Sequence, residues 1–476
     1  MLTVLIMLCA LIWLPILVYQ ISNRGFLVLI IWLAVAPFVS NLAMGHTNPF
    51  FKPLKTPEQN SFHGIEPRSS TYNTISIEEM IEQPTRLLIT LYMIVLILNS
   101  LLIRKRISPL DRTEVCMGIF ALMLLANVYL LSDRFGYSLR LVYDAFIVPF
   151  FSYFIARRLV LNVGQLQRLI QLMGYLGGCF FLIGLAEYVI EPGLFSHING
   201  PFGSGTGYFY ALMAVFFVMI SDSISSRRDG HAKQMFSPFL RWSIVGLIPV
   251  TIVMIGSRGA WVGFLCGLWI FMFLGYRVLS FSKKIMAIGT LLLLVPVLIL
   301  STYSLIPKEF VEKNITQMDT VEWRFKRWNV AIQKARETYI LGIGFNNLRD
   351  ILEENLGSDA HAHNSFLTFF VELGGVGLAM FFAIIASLTR LGLRLYRLGR
   401  HPRDRLRGAA VLAMLAAYLI PGFFANTILT ADFSILYMFV FIGGLAGFYN
   451  QSRLVIDSRQ MAGMWYQRKT PIDISL

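Results

Sequence analysis

Charge is scarce in this chain. Asp, Glu, Lys and Arg make up 14% of its 476 residues, hydrophobic residues make up 56%, and the mean hydropathy is +0.63. A soluble domain carries roughly a quarter charged residues, so a water-soluble enzyme or binding module is excluded. Cysteine is also rare. Cys9, Cys116, Cys179 and Cys266 each lie inside an apolar run with no Cys-x-x-Cys spacing, which argues against a disulfide framework and a structural zinc site. No internal repeat and no low-complexity tract is present, so the paired halves of many transporters are missing. The first apolar run, residues 1–20, lacks a basic n-region and a small-residue cleavage site, and is expected to remain as a span with the mature chain beginning at Met1.

What is present is a succession of apolar runs. About 13 of them, with about 12 as the alternative count, approach the roughly 20 residues that cross a bilayer. Their continuous apolarity requires helices, because backbone polar groups in hydrocarbon need partners within their own segment and barrel strands alternate. The expected fold is therefore all-α: one polytopic membrane domain over residues 1–476. Basic residues gather in short loops, among them Arg104 to Arg112, Arg157 to Arg168, Arg227 to Lys233, Arg277 to Lys284 and Arg390 to Arg407. These loops fall on one side, which the positive-inside rule makes cytoplasmic. The net charge of +14 is thereby explained without nucleic acid as a partner. A C-terminal tail, 450–476, falls on the same side, and two larger loops, 46–86 and 303–362, fall on the periplasmic side.

The second loop lies between the tenth and eleventh runs. Phe325, Trp328, Ile332, Ala335 and Tyr339 recur at three-and-four spacing, flanked by Arg324, Lys326, Arg327, Lys334 and Arg336. This spacing predicts an amphipathic helix lying on the membrane surface.

A few polar residues stand where chemistry is conceivable. His363 sits where a hydrated loop meets an apolar run; the positive end of a helix there disfavours imidazolium and keeps a neutral base available. On an unbroken helix Gly374 and Gly377 return to within about 20° and 40° of the His363 direction, giving a shallow face for a packed helix or a lipid chain. Arg258, in the turn Gly256-Ser257-Arg258-Gly259, is either an interfacial anchor beside Trp261 or an anion contact at a helix N-terminus that Ser257 caps. His361 and His363 form a His-x-His pair, but no third ligand stands nearby except Asp359, so no metal is expected. Arg140 and Asp144, four apart, are placed to pair with each other. Glu187 and Glu372 are intramembrane carboxylates; Glu372 points away from His363 on a helical wheel and reads as a packing or gating residue.

Together, Ser257-Arg258-Gly259-Ala260-Trp261, Arg324 with Trp328 four later, Gly342-Ile343-Gly344-Phe345-Asn346, and His363-Asn364 ahead of Gly374 and Gly377 resemble the signature of the O-antigen ligase and O-antigen polymerase superfamily. The resemblance runs from about Gly200 to Gly377 and implies transfer of a glycan from undecaprenyl diphosphate to an acceptor hydroxyl at the periplasmic face of the bacterial inner membrane. It implies His363 as general base, Arg258 and Arg324 as diphosphate-binding residues, and no metal or other cofactor. Arg327, His361, Asn364 and Arg140 are supporting candidates. The partners implied are the lipid-linked donor, a glycan or lipid acceptor, membrane lipid and other polysaccharide-assembly proteins. One departure lies at His197 to Ser204, where many relatives carry an arginine before a Gly-x-Phe-Gly-Asn-Pro-like turn.

Polymerase, ligase and protein-glycosylating activities share the donor site and are not separated by sequence. The long first outer loop and the extra N-terminal span resemble exopolysaccharide-pathway members of that superfamily, which implies polysaccharide polymerisation. The competing class is a lipid-linked glycan flippase or small-anion transporter. Against it, the arginines stand at one face and no pair of broken helices marks a central site.

Overall fold

The computed structural model describes residues 24–35, 89–95, 109–190, 198, 200–202, 205–226, 237–255, 257–279, 319–356, 362–399, 401–425, 428 and 432–467. Every regular element among them is helical. The protein is an all-α polytopic membrane protein, and seven of the described helices are long and apolar enough to cross a bilayer. The expected runs 1–20 and 285–302, and the loop 46–86, lie outside the described residues.

The helices are α1 (Arg24–Val35), α2 (89–95), α3 (Arg112–Leu131), α4 (Phe135–Leu159), α5 (Val163–Ile190), α6 (Gly205–Ser226) and α7 (Pro238–Met254). They continue as α8 (Arg258–Leu279), α9 (Asp319–Glu337), α10 (Leu348–Leu356), α11 (Ser365–Leu398), α12 (Pro402–Leu419) and α13 (Leu436–Gln467). The last runs on into the residues expected to form a tail from 450.

The bundle is built around α6. In its apolar window 94% of residues are buried, against 28% for α3, so α6 is the central helix and α3 a peripheral one. Around it pack α5, α7, α12 and α13, while α11 packs between α12 and α3, and α8 lies against α12. Close approach depends on small residues, as expected where lipid offers no hydrophobic drive between helices. On α8, Gly259, Gly263 and Gly267 repeat every four residues. A Cβ at Gly263 would come within 2.6 Å of Pro421, and one at Gly267 within 2.8 Å of the Ala413 carbonyl oxygen.

At the end where α3, α7 and α12 begin, arginines are tied to buried acids. Asp111 caps α3 by accepting from the Glu114 N–H at 2.8 Å. The Glu114 carboxylate in turn takes Arg157 at 2.7 Å and Arg158, while Asp111 takes Arg157 at 3.0 Å. Asp222, at the end of α6, joins Arg241 of α7 at 3.3 Å and Arg403 of α12 at 2.8 Å.

Two expectations change. The α9 stripe does not face one way: Trp328 and Ala335 pack inward with Ala331, Leu348, Leu352, Ala362 and Val371, whereas Phe325 and Tyr339 are about 60% exposed. Alanines on the inner face let α9 seat against α10 and α11 instead of resting on lipid by its whole stripe. The wheel drawn from His363 through Gly374 also fails, because Gly374 has φ 66° and ψ −175° inside α11 and breaks the helical register.

Candidate functional site

At the opposite end of the bundle, the break in α11 is filled by a loop. Opening a helix strands carbonyls before the break and N–H groups after it. Here the loop that follows α9 supplies both partners. Ile343 and Gly344 donate their N–H groups to the carbonyls of Val371 and Glu372 at 3.0 and 3.1 Å, while Gly375 and Val376 donate to Tyr339 and Ile340 at 2.8 and 3.3 Å. The backbones approach so closely that a Cβ at Gly374 would come within 2.1 Å of the Ile340 carbonyl oxygen. Gly342 and Gly374, both at positive φ, are therefore required by backbone contact, which assigns part of the Gly342 to Asn346 motif a structural task.

Side-chain amides and hydroxyls complete this knot. The Asn127 Oδ1 accepts from the Phe345 N–H at 2.8 Å. Asn347 donates to the Leu131 carbonyl at 2.8 Å, and Ser132 and Ser138 both donate to the Phe345 carbonyl at 3.1 and 3.2 Å. The buried Glu372 carboxyl accepts from the Leu348 N–H at 3.3 Å, capping α10, in keeping with a packing role. At the rim, Arg134 pairs with Asp350 of α10 at 2.7 Å. Burial holds the Asp350 carboxyl above its ordinary range, against the pull of Arg134.

His363 lies two residues before the first residue of α11 and is half-buried, with φ 51°. A non-glycine residue in this left-handed region costs about 1–2 kcal/mol, so neighbouring contacts must hold it. After it, the Asn364 side chain caps α11, accepting from the Phe366 and Leu367 N–H groups at 3.1 and 3.0 Å. Ser365 donates to the Ala425 carbonyl at 2.9 Å and accepts from the Ile428 N–H at 3.2 Å. Before it, the Trp328 indole N–H donates to the Ala362 carbonyl at 2.7 Å.

The same connector after α12 also meets the start of α8. Gly259 faces Pro421, and the Phe366 and Phe423 rings lie 4.4 Å apart. The N-termini of α8 and α11 thus pack on one turn, Ile420–Phe423, and both aim their positive ends at the same end of the bundle. Arg258 opens α8, and Ser257 accepts from the Ala260 N–H at 3.4 Å, as a cap should; the Arg258 side chain lies outside the described residues. Arg324 and Arg327 are half-buried on α9, and Arg324, four residues before Trp328, lies on the same side of the helix as the indole that holds the His363 strap. Lys326 and Lys334 are instead in exposed pairs with Glu322 and Glu337. Arg140 is half-buried in α4, two residues beyond Ser138 and just ahead of the π-helical turn Tyr143–Ile147.

His361 and Asp359 lie outside the described residues, among which no three His, Cys, Asp or Glu side chains gather at metal spacing. Glu187 of α5 accepts from the Gly200 N–H at 2.8 Å. Sequence reasoning placed Trp328 only in the apolar stripe and in the motif with Arg324, and overlooked Asn127 and Asn347. Trp328 carried a signal, since an indole beside two arginines on an amphipathic helix wants a partner for its N–H.

The fold is that of a polytopic membrane protein, in which Trp328, on the helix that carries Arg324 and Arg327, bonds the strap that holds His363. Residues 243–382 match the family model described as O-antigen ligase, which supports a likeness of this stretch to the O-antigen ligase and polymerase superfamily. The matched segment holds α8 to α10 and the first half of α11, with Arg258, Arg324, Arg327 and His363, but not Arg140 or the Ile420–Phe423 turn. The family implies an enzyme of glycosyltransferase type acting on a lipid-linked glycan and an acceptor in the bacterial inner membrane. No curated protein matches the chain.

Proposed function

We propose that this protein transfers a glycan from undecaprenyl diphosphate to an acceptor hydroxyl at the periplasmic face, as a polysaccharide polymerase or an O-antigen ligase. The observation that supports this reading is the meeting of three elements: the starts of α8 and α11 pack on the Ile420–Phe423 turn, and Trp328 of α9 bonds the strap that holds His363.

In the proposed reaction the acceptor oxygen attacks the anomeric carbon, His363 takes the hydroxyl proton, and the bond to the diphosphate oxygen breaks. Charge develops on the leaving diphosphate, and guanidinium groups at Arg258 and Arg324 stabilise it without a metal ion. Arg327, His361, Asn364 and Arg140 support the site, Asn364 by shaping the strap. A single displacement with one base inverts the anomeric carbon, and a product that NMR shows to be retained would rule it out.

The test is consumption of a purified undecaprenyl-diphosphate-linked glycan by the protein in detergent, where no second compartment exists. Wild-type protein is expected to release undecaprenyl diphosphate and His363→Ala to lose about 10²- to 10⁴-fold in rate. A transporter would consume nothing. Full activity of well-folded His363→Ala would remove His363 from its role.

A further inference from the structure

We propose that Trp328 is a positioning residue, which fixes the distance between the donor-binding helix α9 and the base by holding the peptide group in front of His363. This rests on the reading of His363 as the base. The Ala362 carbonyl that accepts the indole N–H at 2.7 Å belongs to the Ala362–His363 peptide bond. The plane of that peptide and the Asn364 cap are the two references between which the His363 backbone is set, and at φ 51° that backbone is not one the residue adopts by default. Clamped on both sides, the imidazole can be aimed; released on one side, the left-handed turn has an open route back to an extended strap.

The clamp also joins two parts of the site. Arg324 stands one helical turn before Trp328 and Arg327 directly before it, so the residue that orients the base is carried by the helix proposed to hold the diphosphate. Docking of α9 does not itself need the indole N–H. Ala331 and Ala335 bury the helix against α10 and α11, and the loop beyond it pairs with the break at Gly374. Loss of this one donor should therefore misplace the base while leaving donor binding in place. A merely structural residue would instead loosen α9 and weaken both.

The experiment uses full-length protein in lipid nanodiscs with an undecaprenyl-diphosphate-linked repeat as donor. Trp328→Phe removes the N–H and part of the ring. Replacement of Trp328 by 3-benzothienylalanine keeps the fused ring and removes only the donor. Both are expected to lower kcat about tenfold or more, the scale of a lost buried hydrogen bond and a displaced catalytic group, with donor KM within about twofold of wild type. The proposal is overturned if the benzothienyl protein keeps kcat within about twofold, or if KM rises in step with the lost kcat/KM. His363→Ala run alongside separates the two claims. If it is inactive while the Trp328 proteins are normal, only the clamp falls; if it is active, the base assignment falls and the clamp with it.

Discussion

Where α3, α7 and α12 begin, buried guanidinium and carboxylate groups join the helices, as in Glu114 with Arg157 and Arg158 and Asp222 with Arg241 and Arg403. Where α11 begins, the joining is done by Asn127, Asn347, Ser132, Ser138, Asn364, Ser365 and the Trp328 indole. Ionisable side chains take part there too, among them Glu372, which caps α10, and the Arg134–Asp350 pair at the rim. Neutral donors and acceptors hold a backbone in place whatever the protonation of its surroundings. On the proposed reading that end moves a proton, and its geometry would then not change with the charge it handles. The ion-paired end has no such need, and its buried pairs make it dependent on every member being present.

The comparison can be broken first at the ion-paired end. Glu114→Ala leaves Arg157 and Arg158 buried beside an emptied position and is expected to cost about 3–5 kcal/mol of stability. Thermal melting in detergent reads that loss, and the surviving folded protein should keep its donor KM. A changed KM would show that the two ends are not separate in function. Next, Arg258→Lys and Arg324→Lys should each raise donor KM about tenfold, since a point charge replaces a fork worth about 1.5–3 kcal/mol to an anion, with melting unchanged. Initial-rate measurements with donor varied decide this, and an unchanged KM in both would detach these arginines from the diphosphate.

The smallest effect is expected at Asp350. Its carboxyl is held above the ordinary value of 3.8 by burial, so the folded state favours the protonated form. The stability this contributes is present below pH 3.8 and is lost as pH rises through the raised value. Asp350→Asn should remove that step from the dependence of melting on pH and leave transfer within about twofold, as expected of a partly exposed pair. A large loss of activity would extend the working site as far as α10.

Much of this architecture is legible in sequence because it is local. Apolar run length predicts the seven long apolar helices among the described residues, Ser257 announces its cap, and three-and-four spacing from Phe325 finds α9. Glu372 is read from sequence as a packing or gating residue, and the structure uses its carboxyl to cap α10. What escapes is non-local. Gly374 looks like one more small residue in a membrane helix, and only the loop from Tyr339 to Gly344, thirty-odd positions earlier in the chain, makes the break possible. Arg157 and Arg158 read as topology signals because their partner Glu114 lies on another helix. The short α10 was missed although Leu348, Leu352 and Leu356 repeat every four residues, since a nine-residue polar helix carries little periodic signal.

The most direct test of the account is glycan chain length in a strain lacking this protein, rescued by the wild-type chain or by His363→Ala, with lipid A and cell-surface fractions resolved. The account predicts that His363→Ala reaches the membrane at wild-type level yet behaves as the null does. Single lipid-linked repeats would then mark a polymerase, and long chains that never reach an acceptor would mark a ligase. Normal glycan in the His363→Ala strain would contradict it.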